Sequence, residues 1–379
     1  MPWHPSDFEG TGAVETFEFI ETGRGVRAMK EITPGSTVFS IPKSVIITPT
    51  SVLRSSFGEQ LLKVLSIKIN PTELLTLYVV CHLLHWPCIK WLSNYFKSLP
   101  DFTKSTSLLY WTENELSLLP TALKDEALKR KASLKALYSN TNHLFNGAAG
   151  LLDYINANDC VESRSVYFDC SLKGLPQLID NSTVSANVAL VPFLDMLNHS
   201  SSPSVQPSFD SLTSPSSLQI AAINKLTKNE QLFISYGQHS NEILLQFYGF
   251  VLENNPCDVI FIEVDDLAEC CAFASSLHDG WIQSNVFVSA QLPSWWLITL
   301  LCSKSFDEWF GFREGQVDLP SILEAESHKI IVDLLIKKRR RLVSGLDFDV
   351  SISKQKSQLV KSFFATKINV IDNFINFNL

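Results

Sequence analysis

The spacing of apolar and polar positions divides the chain into strand-like and helix-like stretches. Residues 13–50 alternate apolar and polar side chains between turn residues, a pattern that predicts short strands. From about residue 58 to 165, apolar side chains recur at helical spacing, which predicts helices. Strand-like runs return in VYFDCS, VALVPFLDML, SLQIAAINKL and EQLFISYG, and the part after residue 258 is mainly helical. The end of the chain, KINVIDNFINFNL, is not assigned to an element.

Two shorter segments separate or extend these blocks. The Ser- and Pro-rich stretch at about residues 200–217 predicts a surface loop or hairpin. The segment SNEILLQFYGF predicts a short helix that Ser240 caps and that ends at Gly249.

Composition places the chain among folded proteins. Hydrophobic residues make up 45% of the 379 residues, which allows two domains with sizeable cores and argues against extensive disorder. The formal net charge of −8 argues against a broad surface that coats nucleic acid. We therefore expect no direct nucleic-acid partner.

No segment predicts a membrane span or a secreted protein. The longest apolar run, ELLTLYVVCHLLHWPCI, is interrupted by His82, His85 and Pro87 and predicts a buried helix. The N-terminus lacks the basic and apolar regions of a signal peptide. The eight cysteines show no paired C-x-x-C spacing, which predicts reduced thiols without a zinc site or disulfide framework. The glycosylation sequons at Asn181 and Asn198 are then chance matches.

The segment ETGRGVRA is the first candidate site. Gly23 and Gly25 flank Arg24 between two strand-like runs, so the backbone could approach a ligand closely there. The segment lacks the third glycine of a dinucleotide fingerprint, and a simple tight turn explains it as well.

The segment LDMLNHSSS is the second candidate, because polar side chains end an apolar run. Asp195 and His199 are four positions apart, a spacing that suits a metal-binding pair on one helical turn, but no third ligand is evident. Alternatively, Asn198 and His199 end a buried segment and bond to nearby backbone. The spacing leaves both interpretations open.

The segment FISYGQHSNEILLQFYGF is the third candidate. It contains two Tyr-Gly pairs, one at Tyr236 after a predicted strand and one at Tyr248 at the end of a predicted helix. Such tyrosines either pack with the hydroxyl at the surface or serve a binding site.

In this order, the three segments resemble the SET-domain protein methyltransferases, and within them the class typified by the Rubisco large-subunit lysine methyltransferase. WLSNYFKSLPDF, Trp111–Leu116 and SRSVYF (Ser163–Phe168) resemble the inserted region of that class, and LPSWWLITLLC resembles the start of its C-terminal domain. The resemblance covers about residues 20–320.

The resemblance implies a fold class and a domain organisation. The fold is expected to be α+β, with a SET domain made of short-stranded β-sheets that thread in a knot-like arrangement. This domain spans residues 13–257 and is split by a helical insertion at about 58–185. A mainly α-helical substrate-binding domain follows at 258–379.

The resemblance also implies S-adenosyl-L-methionine as the cofactor. The turn at Gly23–Gly25 would contact its amino-acid end, Asn198 its methionine part and the backbone of His199 its adenine. Arg164 would reach the cofactor from the insertion, and Phe250 would pack on the adenine. The implied cofactor-binding residues are Gly23, Arg24, Gly25, Arg164, Asn198, His199, Tyr236 and Phe250, and the implied substrate-binding residues are Ser163, Asp195 and Tyr248.

The implied reaction is transfer of a methyl group to a lysine amine, with Tyr236 as the catalytic residue. Such an in-line displacement requires alignment and no metal. The acceptor lysine must be neutral although its free pKa is near 10.4, and an apolar channel beside a sulfonium lowers that pKa. A tyrosine is a poor base at pH 7, so Tyr236 would orient the amine. The Asp195 carbonyl would face the lysine channel, which Tyr248 would help to wall.

Three alternative functions are compatible with parts of this pattern. A relative in the same class methylates a histidine, so the acceptor could differ. A catalytically silent SET protein would bind a peptide without turnover, although Asn198, His199 and Tyr236 together argue against it. A metal-dependent hydrolase built on Asp195 and His199 is the third.

The expected partner is a protein substrate carrying a target lysine. We expect neither a membrane nor nucleic acid as a partner. We expect the protein to be a monomer and to be located in the cytoplasm, the nucleus or both. The basic run at residues 337–341 is either a nuclear import signal or a solvated face at the end of a helix.

Overall fold

The structure is a computed structural model in which strands and helices both occur. It describes residues 11–84, 90–100, 105–168, 178–180, 187–208, 217–268, 270–277, 282, 285–314, 321–346 and 352–378.

The predicted α+β fold class is confirmed. The strands are β1 (Val14–Phe19), β2 (Gly23–Ala28), β3 (Thr37–Pro42), β4 (Ser165–Tyr167), β5 (Val188–Leu190), β6 (Asn198–His199), β7 (Val205–Ser208), β8 (Ser217–Ala222), β9 (Gln231–Ile234), β10 (Val259–Phe261) and β11 (Phe287–Ser289). The α-helices are α1 (Pro49–Leu53), α2 (Ser56–Val64), α3 (Pro71–Leu83), α4 (Lys90–Lys97), α5 (Glu113–Leu116), α6 (Thr121–Thr141), α7 (Leu151–Arg164), α8 (Asn241–Ile243), α9 (Val264–Leu267), α10 (Trp295–Cys302), α11 (Phe306–Arg313), α12 (Ser321–Ser344) and α13 (Lys354–Asn378).

The described chain divides into two compact units. The first comprises Met1–Ser105 with Leu128–Gln238, and the second comprises Thr106–Ala127 with His239–Leu379. The second unit thus includes a piece of the predicted helical insertion. The predicted domain boundaries, which follow the resemblance, stay a prediction.

The sheets of the first unit join segments that are distant in sequence. One sheet has the order β1-β2-β9-β6, in which β2 pairs antiparallel with both β1 and β9, and β6 pairs parallel with β9. A second sheet has the order β3-β8-β7, and β4 pairs with β5. Strands β7 and β8 flank the predicted Ser- and Pro-rich hairpin and pair in antiparallel register. That hairpin prediction is confirmed at both ends, while residues 209–216 lie outside the described ranges.

Helix α3 forms because its start is capped and its apolar residues are buried. The Asn70 side chain accepts the Glu73 N–H at 2.9 Å, and the Glu73 carboxylate accepts the Asn70 N–H at 2.8 Å. Pro71 occupies the first turn, where its missing N–H costs nothing. The run that follows is buried on nearly all sides as far as His82, which confirms the predicted buried helix over α3, while residues 85–89 of the run lie outside the described residues. Within the described ranges, no helix is long and apolar enough to cross a membrane.

A buried histidine on α3 makes stability depend on pH. The His82 ring stacks on Phe96 with centroids 4.4 Å apart and meets Tyr78 edge-on at 4.5 Å. Neither ring nitrogen has a hydrogen-bond partner among the residues described. Burial lowers the pKa of His82 from 6.5 to about 4, so the folded protein holds a neutral ring where the unfolded chain binds a proton.

We expect the free energy of unfolding to fall as the pH falls from 6.5 towards 4. In that window only the unfolded state takes up the proton, so stability rises with pH, by up to about 2 kcal/mol between pH 5 and 7. Urea unfolding at both pH values measures the change in the wild type and in His82→Phe. The matched control is His143→Phe, since His143 is exposed. Equal pH dependence in the wild type and His82→Phe would contradict the assignment.

The second unit has its own core. Strands β10 and β11 pair antiparallel, and their buried residues form one cluster with residues of α10, α12 and α13. Helix α13 contains residues 367–378 of the segment KINVIDNFINFNL that the sequence pattern left unassigned, and Leu379 lies outside the described residues. Its Val370, Ile371 and Phe374 are buried in this core.

The basic run at residues 337–341 lies within α12. Lys338 donates to the Asp266 carboxylate at 2.6 Å, and Arg341 donates to the same carboxylate. Arg339 donates to both carboxylate oxygens of Asp372 at 2.6 and 3.1 Å. These ion pairs connect α12 to α9 and α13, so the run contributes to helix packing. Its use as an import signal stays a prediction.

The predicted helix before Gly249 consists of α8 and a π-helix at Leu244–Tyr248. It ends at Gly249, whose φ of +72° is in the left-handed region, as predicted. Ser240 occupies the N-cap position, but its side chain makes no capping bond. The predicted cap is therefore wrong, because the Asp258 carboxylate accepts the Asn241 N–H at 3.0 Å instead.

Among the described residues, the cysteines form no disulfide with one another, and their reduced state stays a prediction. Four of them are buried and two are partly exposed. Cys88, Cys170 and the sequon at Asn181 lie outside the described residues.

Candidate active site

Three of the candidate segments meet at one end of the β1-β2-β9-β6 sheet. Strand β2 begins at Gly23, β6 consists of Asn198 and His199, and β9 ends two residues before Tyr236. Strand β9 lies between the other two, with Leu232 opposite Val26 and the next residues opposite β6. The sheet order therefore assembles a site from positions that are far apart in the sequence.

The glycine segment is fixed by close approach of side chains. Gly23 has a φ of +68°, which favours glycine. A Cβ on Gly25 would lie 2.9 Å from Asn198 Nδ2 and 2.6 Å from Gln231 Nε2, so no other residue fits without displacing them. The Asn198 carboxamide donates to the carbonyl oxygens of Arg24 at 3.2 Å and Thr22 at 3.4 Å. This segment is thus more than a simple tight turn, because it packs directly on the second candidate segment.

His199 and Tyr236 support each other. The Tyr236 N–H donates to His199 Nδ1 at 3.0 Å, and the two ring centroids are 5.1 Å apart. Since Nδ1 accepts, the neutral imidazole carries its proton on Nε2. The Tyr236 hydroxyl donates to the Leu197 carbonyl at 2.8 Å. The position of this hydroxyl is therefore defined from both ends of the side chain.

A strained backbone at Phe193 precedes the turn that contains Asp195. Phe193 has a φ of +75°, unusual for a non-glycine residue, and its fully buried ring meets Phe39 edge-on at 4.9 Å. The chain then makes a 3-10 turn at Leu194–Met196 before entering β6. The packed Phe193 ring holds this turn, which points the Asp195 side chain inward to 1% exposure.

Asp195 is bound to other side chains in the first unit. Arg164 Nη1 donates to the Asp195 carbonyl at 2.8 Å and to Oδ2 at 3.3 Å. The Tyr95 hydroxyl donates to the same Oδ2 at 3.0 Å. The described residues contain no cluster of His, Cys, Asp or Glu that could hold a metal ion. The metal-pair interpretation of Asp195 and His199 therefore has no support in the described geometry.

Arg164 and Arg24 both interact electrostatically with the Asp195 carboxylate. Burial alone would lower the pKa of Arg164, but the Asp195 carboxylate raises it well above its usual value. Burial and the neighbouring Arg164 lower the pKa of Arg24. The Arg24 guanidinium donates to the Ser98 carbonyl. The Asp195 and Glu18 carboxylates act in the opposite direction on Arg24, so two carboxylates accompany the two guanidinium groups. The guanidinium N–H groups are donors that suit an anionic ligand group.

The remaining predicted site residues are placed as follows. Ser163, at the end of α7, donates its hydroxyl to the Asp159 carbonyl at 2.5 Å. Tyr248 and Phe250 belong to the second unit, where their ring centroids are 6.1 Å apart. Burial raises the pKa of Tyr248. The binding roles predicted for these three residues stay predictions.

The sequence did not predict the polar contacts made by Tyr95 on α4 and by Ser98, the residue that follows this helix. Tyr95 is fully buried and bonds to Asp195, and the Ser98 carbonyl accepts from Arg24. The segment WLSNYFKSLP was singled out only for its resemblance to an inserted region. A tyrosine on an apolar helix face looks the same in sequence whether its hydroxyl faces a site or a core, so no local signal marked it.

Known proteins match most of this chain. The SET-domain family matches residues 23–237. SET domain-containing protein 4 of Mus musculus is 28% identical over 335 residues, which are 82% of this chain and 73% of the relative. The ribosomal lysine N-methyltransferase of Schizosaccharomyces pombe is 24% identical over 265 residues, 70% of this chain and 60% of the relative. The crystal structure of the SET domain of LSMT bound to lysine and AdoHcy aligns with a TM-score of 0.62 at 17% identity, covering 97% of this chain and 86% of that one.

The match agrees with the geometry of the first unit. It begins at Gly23, the start of β2, and ends one residue after Tyr236. It therefore includes the glycine segment, β6 and the strand that leads to Tyr236. The predicted resemblance is confirmed, and the chain belongs to the SET-domain family.

Proposed function

We infer that this chain transfers methyl groups from S-adenosylmethionine to the side-chain amine of lysine in a protein substrate. The observation that carries this inference is the meeting of the glycine segment, the Asn198 carboxamide and the Tyr236 hydroxyl at one sheet end of a SET-domain chain. The activity named for the Schizosaccharomyces pombe relative and the lysine and AdoHcy bound to LSMT support the same reaction.

The residues of the first unit fit the amino-acid end of S-adenosylmethionine. The absence of a side chain at Gly25 leaves room for Asn198 to contact the backbone of the glycine segment. Asp195 Oδ1 is buried and has no hydrogen-bond partner among the described residues, while Arg24 and Arg164 supply two positive charges. A ligand end that carries both a carboxylate and an ammonium group complements this arrangement. We assign the glycine segment, Asn198 and Arg164 to this end, and the His199 backbone to the adenine.

S-adenosylmethionine, when bound, supplies a methyl group on a sulfonium centre, and the chain supplies alignment and environment. The Tyr236 hydroxyl donates its hydrogen bond to the Leu197 carbonyl at 2.8 Å, so the lone pairs of its oxygen can accept a hydrogen bond from an amine. Its position is supported by the bond between its N–H and His199. Partly buried surroundings disfavour an ammonium ion and so favour the neutral amine that reacts. Alignment of this kind contributes several kcal/mol to the barrier reduction.

The substrate is a protein that carries the target lysine, and the enzyme acts as a monomer in the cytoplasm, the nucleus or both. The net charge of −8 supports a protein substrate over nucleic acid. Residues 13–257 form the SET domain and residues 258–379 the substrate-binding domain in this proposal.

Label transfer tests the proposed reaction. The purified protein is incubated with S-adenosylmethionine carrying a tritiated methyl group and a cell extract, and labelled proteins are hydrolysed to amino acids. We expect the label in methyllysine and none with heat-denatured protein. Label in methylhistidine would instead identify a histidine acceptor. Cofactor binding without any transfer would favour a silent peptide-binding protein.

A further inference from the structure

We propose that Tyr95 is a positioning residue for methyl transfer, whose hydroxyl holds the Asp195 carboxylate so that Asp195 fixes Arg164 at the cofactor site. This proposal rests on the function inferred above and adds a residue from the helical insertion to the machinery. Tyr95 lies on α4, and Asp195 lies 100 positions further along the chain.

The contact is buried and directional. Tyr95 is fully buried, and the Asp195 side chain is 1% exposed. The hydroxyl donates to Oδ2 at 3.0 Å, the same oxygen that receives Arg164 at 3.3 Å. Burial raises the pKa of Tyr95 well above its usual value, so the hydroxyl stays protonated and remains a donor. A buried carboxylate held by two donors on one oxygen has a defined orientation.

Ser98, the residue that follows α4, holds the second guanidinium. The Ser98 carbonyl accepts from Arg24, and the Ser98 hydroxyl donates to the Tyr95 carbonyl at 2.6 Å. One short stretch of the insertion therefore contacts Asp195 through Tyr95 and Arg24 through Ser98. This stretch sets the spacing of the two positive groups that we assign to the cofactor site.

Loss of the Tyr95 hydroxyl should affect the orientation of Asp195 more than the packing. In Tyr95→Phe the ring that contacts Phe96 at 5.2 Å is kept, and the bond to Oδ2 is removed. The Asp195 carboxylate then keeps its bond to Arg164 but loses a second donor that fixes its orientation. Since bonds to charged groups are the strong ones, we expect the Kd for S-adenosylhomocysteine to rise about 10-fold.

The test compares Tyr95→Phe with a matched variant. Tyr154→Phe also removes a buried tyrosine hydroxyl, one that bonds to Thr141 at 2.9 Å and makes no bond to Asp195. Calorimetry with S-adenosylhomocysteine should give a raised Kd for Tyr95→Phe and an unchanged one for Tyr154→Phe. The KM for S-adenosylmethionine should rise in parallel, while the kcat of Tyr95→Phe changes less than about 3-fold.

A double-mutant cycle separates action through Asp195 from a general structural role. If Tyr95 acts through Asp195, then Tyr95→Phe has little further effect on the Kd in an Asp195→Ala background, where the acceptor of its hydroxyl is absent. If the wild type binds S-adenosylhomocysteine and Tyr95→Phe binds it with the same Kd, the proposal is overturned. An equal rise of the Kd in Tyr154→Phe would also overturn it, and so would fully additive effects of the two substitutions on the Kd. Absence of binding or transfer in the wild type would instead contradict the proposed function itself.

Discussion

Replacement of Tyr236 by Phe is expected to lower kcat roughly 100- to 1,000-fold and to leave the Kd for S-adenosylmethionine within about 2-fold of the wild type. The variant loses the hydroxyl bond to the Leu197 carbonyl, but it keeps the ring beside His199 and the bond from the backbone N–H to His199 Nδ1, so the ring stays in place. What it loses is the oxygen that orients the acceptor amine. Because alignment of the reacting groups supplies much of the barrier reduction, the loss falls on the transfer step.

Single-turnover transfer of the tritiated methyl group measures the rate of the transfer step, and calorimetry measures the Kd for the cofactor. The matched control is Tyr167→Phe, because Tyr167 lies on β4 with 72% of its side chain exposed, and it should transfer at the wild-type rate. A Tyr236→Phe variant that retains more than about a tenth of the wild-type kcat would remove Tyr236 from the catalytic role.

Gly25→Ala is expected to weaken S-adenosylmethionine binding by about 10- to 100-fold. The added Cβ would lie 2.6 Å from Gln231 Nε2 and 2.9 Å from Asn198 Nδ2, closer than real contacts allow. Overpacking of this kind costs about 1–3 kcal/mol, and every 1.4 kcal/mol is tenfold in affinity. The carboxamide of Asn198, which bonds to the Arg24 carbonyl at 3.2 Å, has to move away.

Calorimetric titration with S-adenosylmethionine compares the Kd of Gly25→Ala with that of the wild type. Thermal unfolding reports whether the variant folds. Gly12→Ala is the matched control, since an added Cβ there meets nothing within 4 Å. If folded Gly25→Ala binds the cofactor as tightly as the wild type, the glycine segment does not belong to the cofactor site.

Sequence patterns predicted the elements that depend on local spacing. The alternation in residues 13–50 became β1, β2 and β3, and the apolar run after Asn70 became α3, since side-chain periodicity and capping act within a few residues. The glycine segment and the Asn-His pair could also be identified as candidates, because glycines between strands and polar residues ending an apolar run are visible in a single segment.

What could not be predicted depends on contacts between distant segments. The capping role went to Asp258 and not to Ser240, because a carboxylate 17 positions away reaches the Asn241 N–H. Tyr95 and Asp195 are 100 positions apart, and no spacing rule connects them. In α13 the β-branched and Asn residues around Val370 disfavour a helix locally, and burial of Ile371 and Phe374 decides the structure.

A crystal structure of the protein in complex with S-adenosylhomocysteine shows whether the cofactor binds at the end of the β1-β2-β9-β6 sheet. We predict density for the amino-acid end of the ligand beside the glycine segment, Asn198 and Arg164, with the Tyr236 hydroxyl still near the Leu197 carbonyl. Ligand density located elsewhere on the protein, with this sheet end empty, would contradict the assignment of the site.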